Sequence, residues 1–184
     1  MDERRILVPG ALRLDAIDGW LAAAPPLRFG LDAGFWPRVD AAARLVAEAA
    51  AGEAPVYGVN TGFGRLARVR IPPADIAELQ RRLVLSHMCG VGAPLDDRTV
   101  RLVLLLKAAS LGLGRSGVRR ATVEALLRLL GHDALPVVPG QGSVGASGDL
   151  APLAHVAGAL IGVGRIRLAG REMPATEALA AIGL

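Results

Sequence analysis

The stretch GQGSVGASG, residues 140–148, holds four glycines and ends in Ala146-Ser147-Gly148. If this chain bends tightly, the backbone nitrogen of Gly148 can attack the carbonyl carbon of Ala146, because glycine has no Cβ to block the approach. Ser147 can then lose its hydroxyl as water and leave an exocyclic methylene. The product is a methylidene-imidazolone ring, a strong electrophile that needs no external cofactor.

Two other interpretations fit parts of the same stretch. Residues 140–145 match G-x-G-x-x-G, which in a dinucleotide site joins a strand to a helix of a βαβ unit. Pro136 and Pro139 make the preceding segment a poor strand, and the acidic candidate Glu172 falls in a predicted hairpin. Alternatively, Asp149 is the N-cap of a helix with Pro152 in its first turn. A cap alone does not account for the glycines.

The elements that must position this stretch are mostly helices, because apolar residues recur at helical spacing. We expect helices over residues 12–23, 36–51, 74–88, 96–113, 116–130, 150–161 and 176–183, a strand at 6–8 and a hairpin over 165–173. Ser116 is the expected cap of the fifth helix. Residues 100–113 are apolar on nearly every face, which is typical of a helix buried in a larger bundle.

Composition narrows the classes of function. The formal net charge is +4 and Lys107 is the single lysine, while the arginines are scattered without a basic face, so no nucleic-acid role is indicated. One cysteine, Cys89, suits a reducing compartment, and no apolar run approaches the roughly 20 residues of a membrane span. We expect a cytoplasmic protein of one domain with no membrane association. His132 and His155 show no metal-ligand spacing, so no metal is expected.

Residues 142–155, GSVGASGDLAPLAH, closely resemble the signature of the aromatic amino acid ammonia-lyases. YGVNTGFG (57–64), LQRRLVLSHMCGVG (79–92) and PATEALAAIGL (174–184) also resemble family segments, in the family's order. This resemblance covers most of the chain from about residue 56. It implies the N-terminal portion of an ammonia-lyase helical bundle, with a substrate-loop region at 1–95 and the start of the helical core, including the glycine-rich loop, at 96–184.

The resemblance implies that Ala146, Ser147 and Gly148 form the family's prosthetic group, 4-methylidene-imidazole-5-one (MIO), and that Asp149 supports the loop. It also implies that Tyr57, the one tyrosine of the chain, is the base that removes the substrate's β-proton. A phenol has an ordinary pKa of about 10, so such a base needs nearby positive charge or hydrogen-bond donors.

The same resemblance places Gly64 beside the substrate, in a loop that Gly58 and Gly62 help to close. Ser86 and His87 match the family dipeptide that lines the pocket for the substrate side chain. A polar pair there is similar to members that act on histidine, although some members that act on tyrosine also place a histidine there. Taken without the resemblance, a histidine on an apolar helical face is more often a packed core residue. Cys89 is expected to be a small hydrophobe near this pocket.

The implied activity is elimination of ammonia from L-histidine to give urocanate. Two alternatives stay open: a tyrosine or phenylalanine ammonia-lyase or an aminomutase with the same prosthetic group, and an inactive fragment or subunit that needs a C-terminal partner. Family members continue beyond the matched segments, and several chains of a homotetramer build each of their active sites. The resemblance therefore implies a homo-oligomer or a partner chain that supplies the rest.

Overall fold

The computed structural model describes residues 4–23, 26–146 and 148–184, and this part of the chain is mainly α, as the sequence predicts. Its helices are α1 (Leu14–Ala22), α2 (Trp36–Ala51), α3 (Pro73–His87), α4 (Asp97–Gly112), α5 (Arg120–Gly131), α6 (Leu150–Leu160) and α7 (Ala175–Ala181). Its strands are β1 (Arg4–Leu7), β2 (Arg28–Leu31), β3 (Val91–Pro94), β4 (Leu135–Pro136), β5 (Pro139–Gln141), β6 (Arg165–Leu168) and β7 (Arg171–Pro174).

Helices α4 and α5 pack against each other and form the centre of the core. Val100 and Leu104 of α4 and Val123 and Leu129 of α5 are at most 2% exposed. The expectation of a buried helix at 100–113 is confirmed on this face. The opposite face is open, since Leu106 is 46% exposed, so the apolar sequence of α4 exceeds what this chain covers.

The strands form small sheets at the edges of the helical core. β1 and β2 pair in parallel, β3 pairs antiparallel with β5, and β4, β6 and β7 form a three-stranded sheet. The predicted hairpin is confirmed as β6–β7, with Ala169 and Gly170 at positive φ in its turn. Strand β4 before the glycine-rich loop and strand β5 at its start both pair antiparallel, so the βαβ setting of a dinucleotide site does not form there.

The predicted cap Ser116 is wrong, and the predicted cap Asp149 is right in position only. Asp96 does cap α4 by accepting a hydrogen bond from the Thr99 backbone nitrogen. Helix α5 begins at Arg120, so Ser116 does not cap it. Gly117 adopts φ +69°, a left-handed conformation that keeps the residues before it out of the helix. Asp149 stands at the N-cap position of α6 but makes no capping hydrogen bond. The sequence did not show that its carboxylate binds the Ser143 hydroxyl instead.

Helix α3 packs on helix α6, and this contact positions the residues of the candidate site. The helices approach closely because Gly158 lacks a side chain, and a Cβ there would overlap the Met88 side chain. His155 of α6 accepts a hydrogen bond at 3.2 Å from the backbone nitrogen of Gly90, just beyond the end of α3. The C-terminal end of α3 is thereby fastened to the middle of α6.

Candidate active site

An open groove of about 510 Å³ lies between the loop after α2, the C-terminal half of α3 and the first turns of α6. Its walls are mainly apolar, and Tyr57 and His87 are the two polar side chains among its lining residues. The lining residues are Tyr57, Phe63, Leu83, Val84, His87, Leu150, Leu153, Ala154 and Ala157. The structure therefore brings together two residues that are 30 positions apart in the sequence and that the resemblance assigns to one site.

Tyr57 lies in a turn at residues 56–60, in the loop that follows α2. Its ring packs edge-on against Phe63 with centroids 5.8 Å apart, and its side chain is 62% exposed at the groove. Gly58 adopts φ +74°, a left-handed conformation that glycine tolerates best. An exposed phenol held by one aromatic contact is free to meet a ligand in the groove.

Asn60, which sequence reasoning overlooked, is the polar centre of this turn. Its side chain is fully buried and bonds the backbone of Val56 within the turn and carbonyl oxygens at and after the end of α2. The signal in the sequence was its type: it is the one asparagine of the chain and stands in a Gly/Thr-rich loop. Nothing local to the sequence shows what such a side chain binds.

His87 sits in the last turn of α3, half-buried, with Ser86 exposed beside it. Its Nδ1 lies 2.8 Å from the carbonyl oxygen of Leu83, so a neutral ring donates Nδ1–H to that carbonyl. The Ser86 hydroxyl donates to the same oxygen at 2.9 Å. These bonds leave Nε2 of His87 as an acceptor.

The glycine-rich loop leads into α6 and can be judged for MIO formation on the residues described. Val144 and Gly148 form an antiparallel bridge, so the chain reverses direction between these two residues. Gly148 has φ +117°, and a Cβ placed there would meet no atom within 4 Å. A tight reversal with an unobstructed glycine at its end fits the cyclisation of residues 146–148. Ser147 itself lies outside the described residues.

The remaining predicted site residues that the structure describes lie near the groove in the sequence, but none of them lines it. Gly64 adopts φ +56° immediately after Phe63, and neither it nor Ser86 lines the groove. Ala146 and Gly148 are in the loop that ends just before Leu150, a lining residue. Cys89 is exposed and does not line the groove, so its expected place as a small hydrophobe beside the pocket is wrong. The chain leaves the helix at Met88, which turns Cys89 outward.

Two features are absent from residues 4–23, 26–146 and 148–184. No three His, Cys, Asp or Glu side chains in this part of the chain are grouped as metal ligands. Within the same residues, no helix combines the length and the hydropathy that crossing a membrane requires.

Comparison with known proteins places this geometry in a family. The sequence profile of the family described as "Aromatic amino acid lyase" matches residues 15–184. A histidine ammonia-lyase of Rhodospirillum rubrum is 53% identical over 184 residues, which are 100% of this chain and 35% of that protein. The chain thus spans about a third of the length of this relative.

Solved structures agree over nearly the whole chain. A histidine ammonia-lyase of Trypanosoma cruzi superposes with a TM-score of 0.88 at 30% identity, covering 99% of this chain and 35% of that one. Ergothionase of Treponema denticola, an ergothioneine-degrading enzyme, superposes with a TM-score of 0.91 at 26% identity, covering 99% of this chain and 36% of that one. By its sequence and its fold, this chain belongs to the aromatic amino acid lyase family.

Proposed function

We propose that this chain supplies the N-terminal part of a histidine ammonia-lyase, which eliminates ammonia from L-histidine to give urocanate. The observation that carries the proposal is the shared groove: Tyr57 and His87 line it, and the tightly bent loop leads into α6, which forms its floor. The 53% identity to a histidine ammonia-lyase favours histidine over the other aromatic substrates.

Cyclisation of residues 146–148 would supply the electrophile. The backbone nitrogen of Gly148 bonds to the carbonyl carbon of Ala146, and two water molecules leave, one of which carries the Ser147 hydroxyl. Residues 146–148 would hold MIO once it is formed, and its electrophilic character would make the substrate's amine a good leaving group. Asp149, through its bond to Ser143, would brace the base of the bent loop.

The residues of this chain would carry out the remaining steps. Nε2 of His87 accepts a hydrogen bond from the substrate imidazole N–H, and the apolar walls formed by Leu83 and Leu153 enclose the ring. Tyr57 in its phenolate form takes a β-proton from the substrate. The electron pair of that C–H bond becomes the α,β double bond as the C–N bond breaks, and ammonia departs. Ser86 and Gly64 would border the substrate as chain neighbours of the lining residues His87 and Phe63.

The complete lyase is the assembly of this chain with the polypeptide that supplies the remainder of the fold, whether continuous with it or separate. We propose a homotetramer of the family type, acting in the cytoplasm on a small amino acid substrate. The open side of the groove supports such an assembly, because Tyr57 and Leu150 are more than half exposed there.

Replacement of Tyr57 by phenylalanine in the complete lyase tests the proposal. The change removes one exposed oxygen, so we expect the fold and the electrophile to persist while kcat for L-histidine falls about 10²–10⁴-fold, the usual contribution of a positioned base. Intact mass of the wild-type protein should show a deficit of two waters in the peptide that contains residues 146–148. Full mass there, or unchanged turnover by Tyr57→Phe, would contradict the assignment.

A further inference from the structure

The Asn60 side chain is at once fully buried and fully hydrogen-bonded. Its Oδ1 accepts a bond from the Val56 backbone nitrogen at 2.7 Å. Its Nδ2 donates to the carbonyl oxygens of Ala49 at 3.0 Å and Ala54 at 2.9 Å, with Gly52 further away at 3.4 Å. A burial this complete is stable only because each polar atom of the carboxamide has a partner.

These bonds close the turn that presents Tyr57. The carbonyl oxygen of Val56 accepts bonds from the backbone nitrogens of Val59 at 3.0 Å and Asn60 at 3.2 Å, while its nitrogen bonds the Asn60 side chain. Both polar backbone groups of Val56 are therefore tied to the turn. Tyr57 is the next residue, so its Cα has little freedom relative to Asn60.

The other half of the carboxamide ties the same turn to α2. Ala49 lies in the last turn of α2, and Ala54 lies in the loop that follows. On the far side, the Ile71 backbone nitrogen donates to the Asn60 carbonyl oxygen at 2.9 Å, which fixes the turn to the segment before α3. The Asn60 side chain therefore fixes the position of Tyr57 relative to helix α2.

We infer that Asn60 is the positioning residue of Tyr57: its carboxamide holds the phenol at the height in the groove where it can reach the substrate's β-proton. The inference rests on the proposed role of Tyr57 as base. The sequence led us to expect a glycine-rich loop that closes over the substrate. On this inference the turn at residues 56–60, which carries the base, already has its final shape before the substrate binds.

Only a carboxamide side chain can make all of the hydrogen bonds found at position 60. One oxygen must accept from Val56, and two N–H groups must meet the carbonyl oxygens of Ala49 and Ala54. An aspartate of the same shape keeps the acceptor and brings a second oxygen against those carbonyls, so the turn must move away from α2. A shift of about 1 Å in a reacting group can cost a factor of about 10² in rate.

The experiment compares Asn60→Asp with Arg70→Gln in the complete lyase. The Arg70 side chain bonds the carbonyl oxygen of Gly52 at 2.8 Å, so its loss disturbs the same helix end while the bonds of Asn60 to Val56, Ala49 and Ala54 stay in place. The electrophile of each protein is counted by the mass of its loop peptide. Steady-state rates are then measured with L-histidine and with L-histidine deuterated at the β-carbon, and kcat is expressed per electrophile.

For Asn60→Asp we expect kcat per electrophile to fall about 10–100-fold with KM changed much less, because ground-state contacts to the substrate remain. The primary isotope effect on kcat should rise, since proton removal becomes slower than other steps. The ratio of variant to wild-type kcat should increase as pH falls, because a protonated carboxyl regains a donor. Arg70→Gln should match the wild type in all three measurements.

The outcomes separate this inference from the proposed function. If Asn60→Asp has wild-type kcat and isotope effect while Tyr57→Phe is inactive, the inference is overturned and the proposed base stands. If Tyr57→Phe is active, Tyr57 is not the base, and the proposed function is contradicted whatever Asn60→Asp shows. A measurement on the wild type serves if the aspartate variant does not fold: hydrogen exchange at the Val56 amide should be slow, and fast exchange there overturns the inference.

Discussion

At the scale of single residues, the candidate site is defined by the polar atoms that can still bind a ligand in the groove. His87 directs Nδ1–H to the Leu83 carbonyl and keeps Nε2 as an acceptor. Tyr57 makes an aromatic contact with Phe63, and its side chain is exposed at the groove. These two side chains differ from the rest of the groove, whose walls are aliphatic or aromatic carbon. An amino acid with a polar ring and a β-proton matches that distribution.

Replacement of His87 by leucine tests the match between Nε2 and the substrate ring. Leucine keeps much of the volume and removes the acceptor, so the bound imidazole N–H loses its partner. A missing hydrogen bond in a desolvated site costs about 1–3 kcal/mol, so kcat/KM for L-histidine should fall roughly 5–150-fold. Steady-state kinetics of the complete lyase measure it, with L-phenylalanine as the comparison substrate. An equal loss for both amino acids would contradict the assignment.

His155 follows the groove residue Ala154 on α6, and burial lowers the pKa of its imidazole from the ordinary value of 6.5. The neutral ring accepts the Gly90 hydrogen bond, and protonation of Nε2 removes that acceptor. Because the pKa is lower in the folded than in the unfolded state, the contribution to stability is fully present above an ordinary imidazole pKa of about 6.5. It is lost as pH falls through the lowered pKa.

We therefore expect the free energy of unfolding to decrease as pH falls below 6.5, and His155→Gln to reduce that decrease. Glutamine offers an oxygen that can accept from Gly90 and does not titrate. At neutral pH the two proteins should differ by no more than about 1 kcal/mol, the ordinary net value of one hydrogen bond. Urea unfolding at a series of pH values measures both. Identical pH dependence in the two proteins would argue against the role given to His155.

At the scale of elements, the sequence predicted what is local and could not predict what is distant. Helix α2 has the predicted bounds, and the hairpin β6–β7 lies where turn residues indicated it, because periodicity and turn chemistry act over a few residues. The parallel pair β1–β2 and the pair β3–β5 were not predicted. Each of these strands has three or four residues, and its partner lies far away along the chain.

The candidate site shows the same division. The resemblance supplied Tyr57 and His87, and the apolar face predicted for α3 supplies Leu83 and Val84 of the groove wall. The hydrogen bonds of Asn60 and the Ser143–Asp149 bond were beyond sequence reasoning. Helix-cap preferences favoured Asp149 as a cap, but the bend of the loop brings the Ser143 hydroxyl within its reach and the carboxylate binds there instead.

Two glycines make a matched test of how the elements pack. Gly114 follows α4 with φ +70°, and a Cβ there would lie 2.6 Å from the carbonyl carbon of Arg38 and 2.7 Å from the Val39 nitrogen. Left-handed backbone costs a non-glycine residue about 1–2 kcal/mol, and displacing the backbone of α2 adds to it. Gly114→Ala should therefore lower the free energy of unfolding by at least about 2 kcal/mol.

Gly19 is the control, because it lies inside α1 and a Cβ added there would meet no atom within 4 Å. Alanine favours helix over glycine by about 0.8–1.0 kcal/mol, so Gly19→Ala should stabilise the protein by up to that amount. Denaturant midpoints of the two variants and the wild type measure the difference. Equal midpoints would mean that the end of α4 and the start of α2 are not packed as described.

At the scale of the whole molecule, the candidate site is a groove that this chain leaves open on one side. The core between α4 and α5 is buried, whereas the outer face of α4, the groove and the loop beside it are open to solvent. Val144 and Leu150 are each 64% exposed, and a second apolar groove of about 730 Å³ runs between α2 and α3. Apolar surfaces of this extent are ordinarily covered by another part of a protein.

Catalysis should therefore require the complete lyase. A proton abstraction that depends on an exposed base in an open groove lacks the exclusion of water that strengthens electrostatic interactions in an enclosed site. We expect the 184-residue chain alone to turn over L-histidine at least about 10³-fold more slowly than the complete lyase, since most of a rate enhancement comes from a preorganised, water-excluded site.

The measurement follows urocanate absorbance for the chain alone, for the assembled lyase and for the assembled lyase with Tyr57→Phe. The intact mass of each protein reports whether the loop has lost its two waters. A chain that has lost them and remains inactive until it is assembled would place the missing contribution in the covering polypeptide. Turnover by the isolated chain at the rate of the complete lyase would show that the open groove is sufficient, because Tyr57 and His87 would then act without any group from outside the chain.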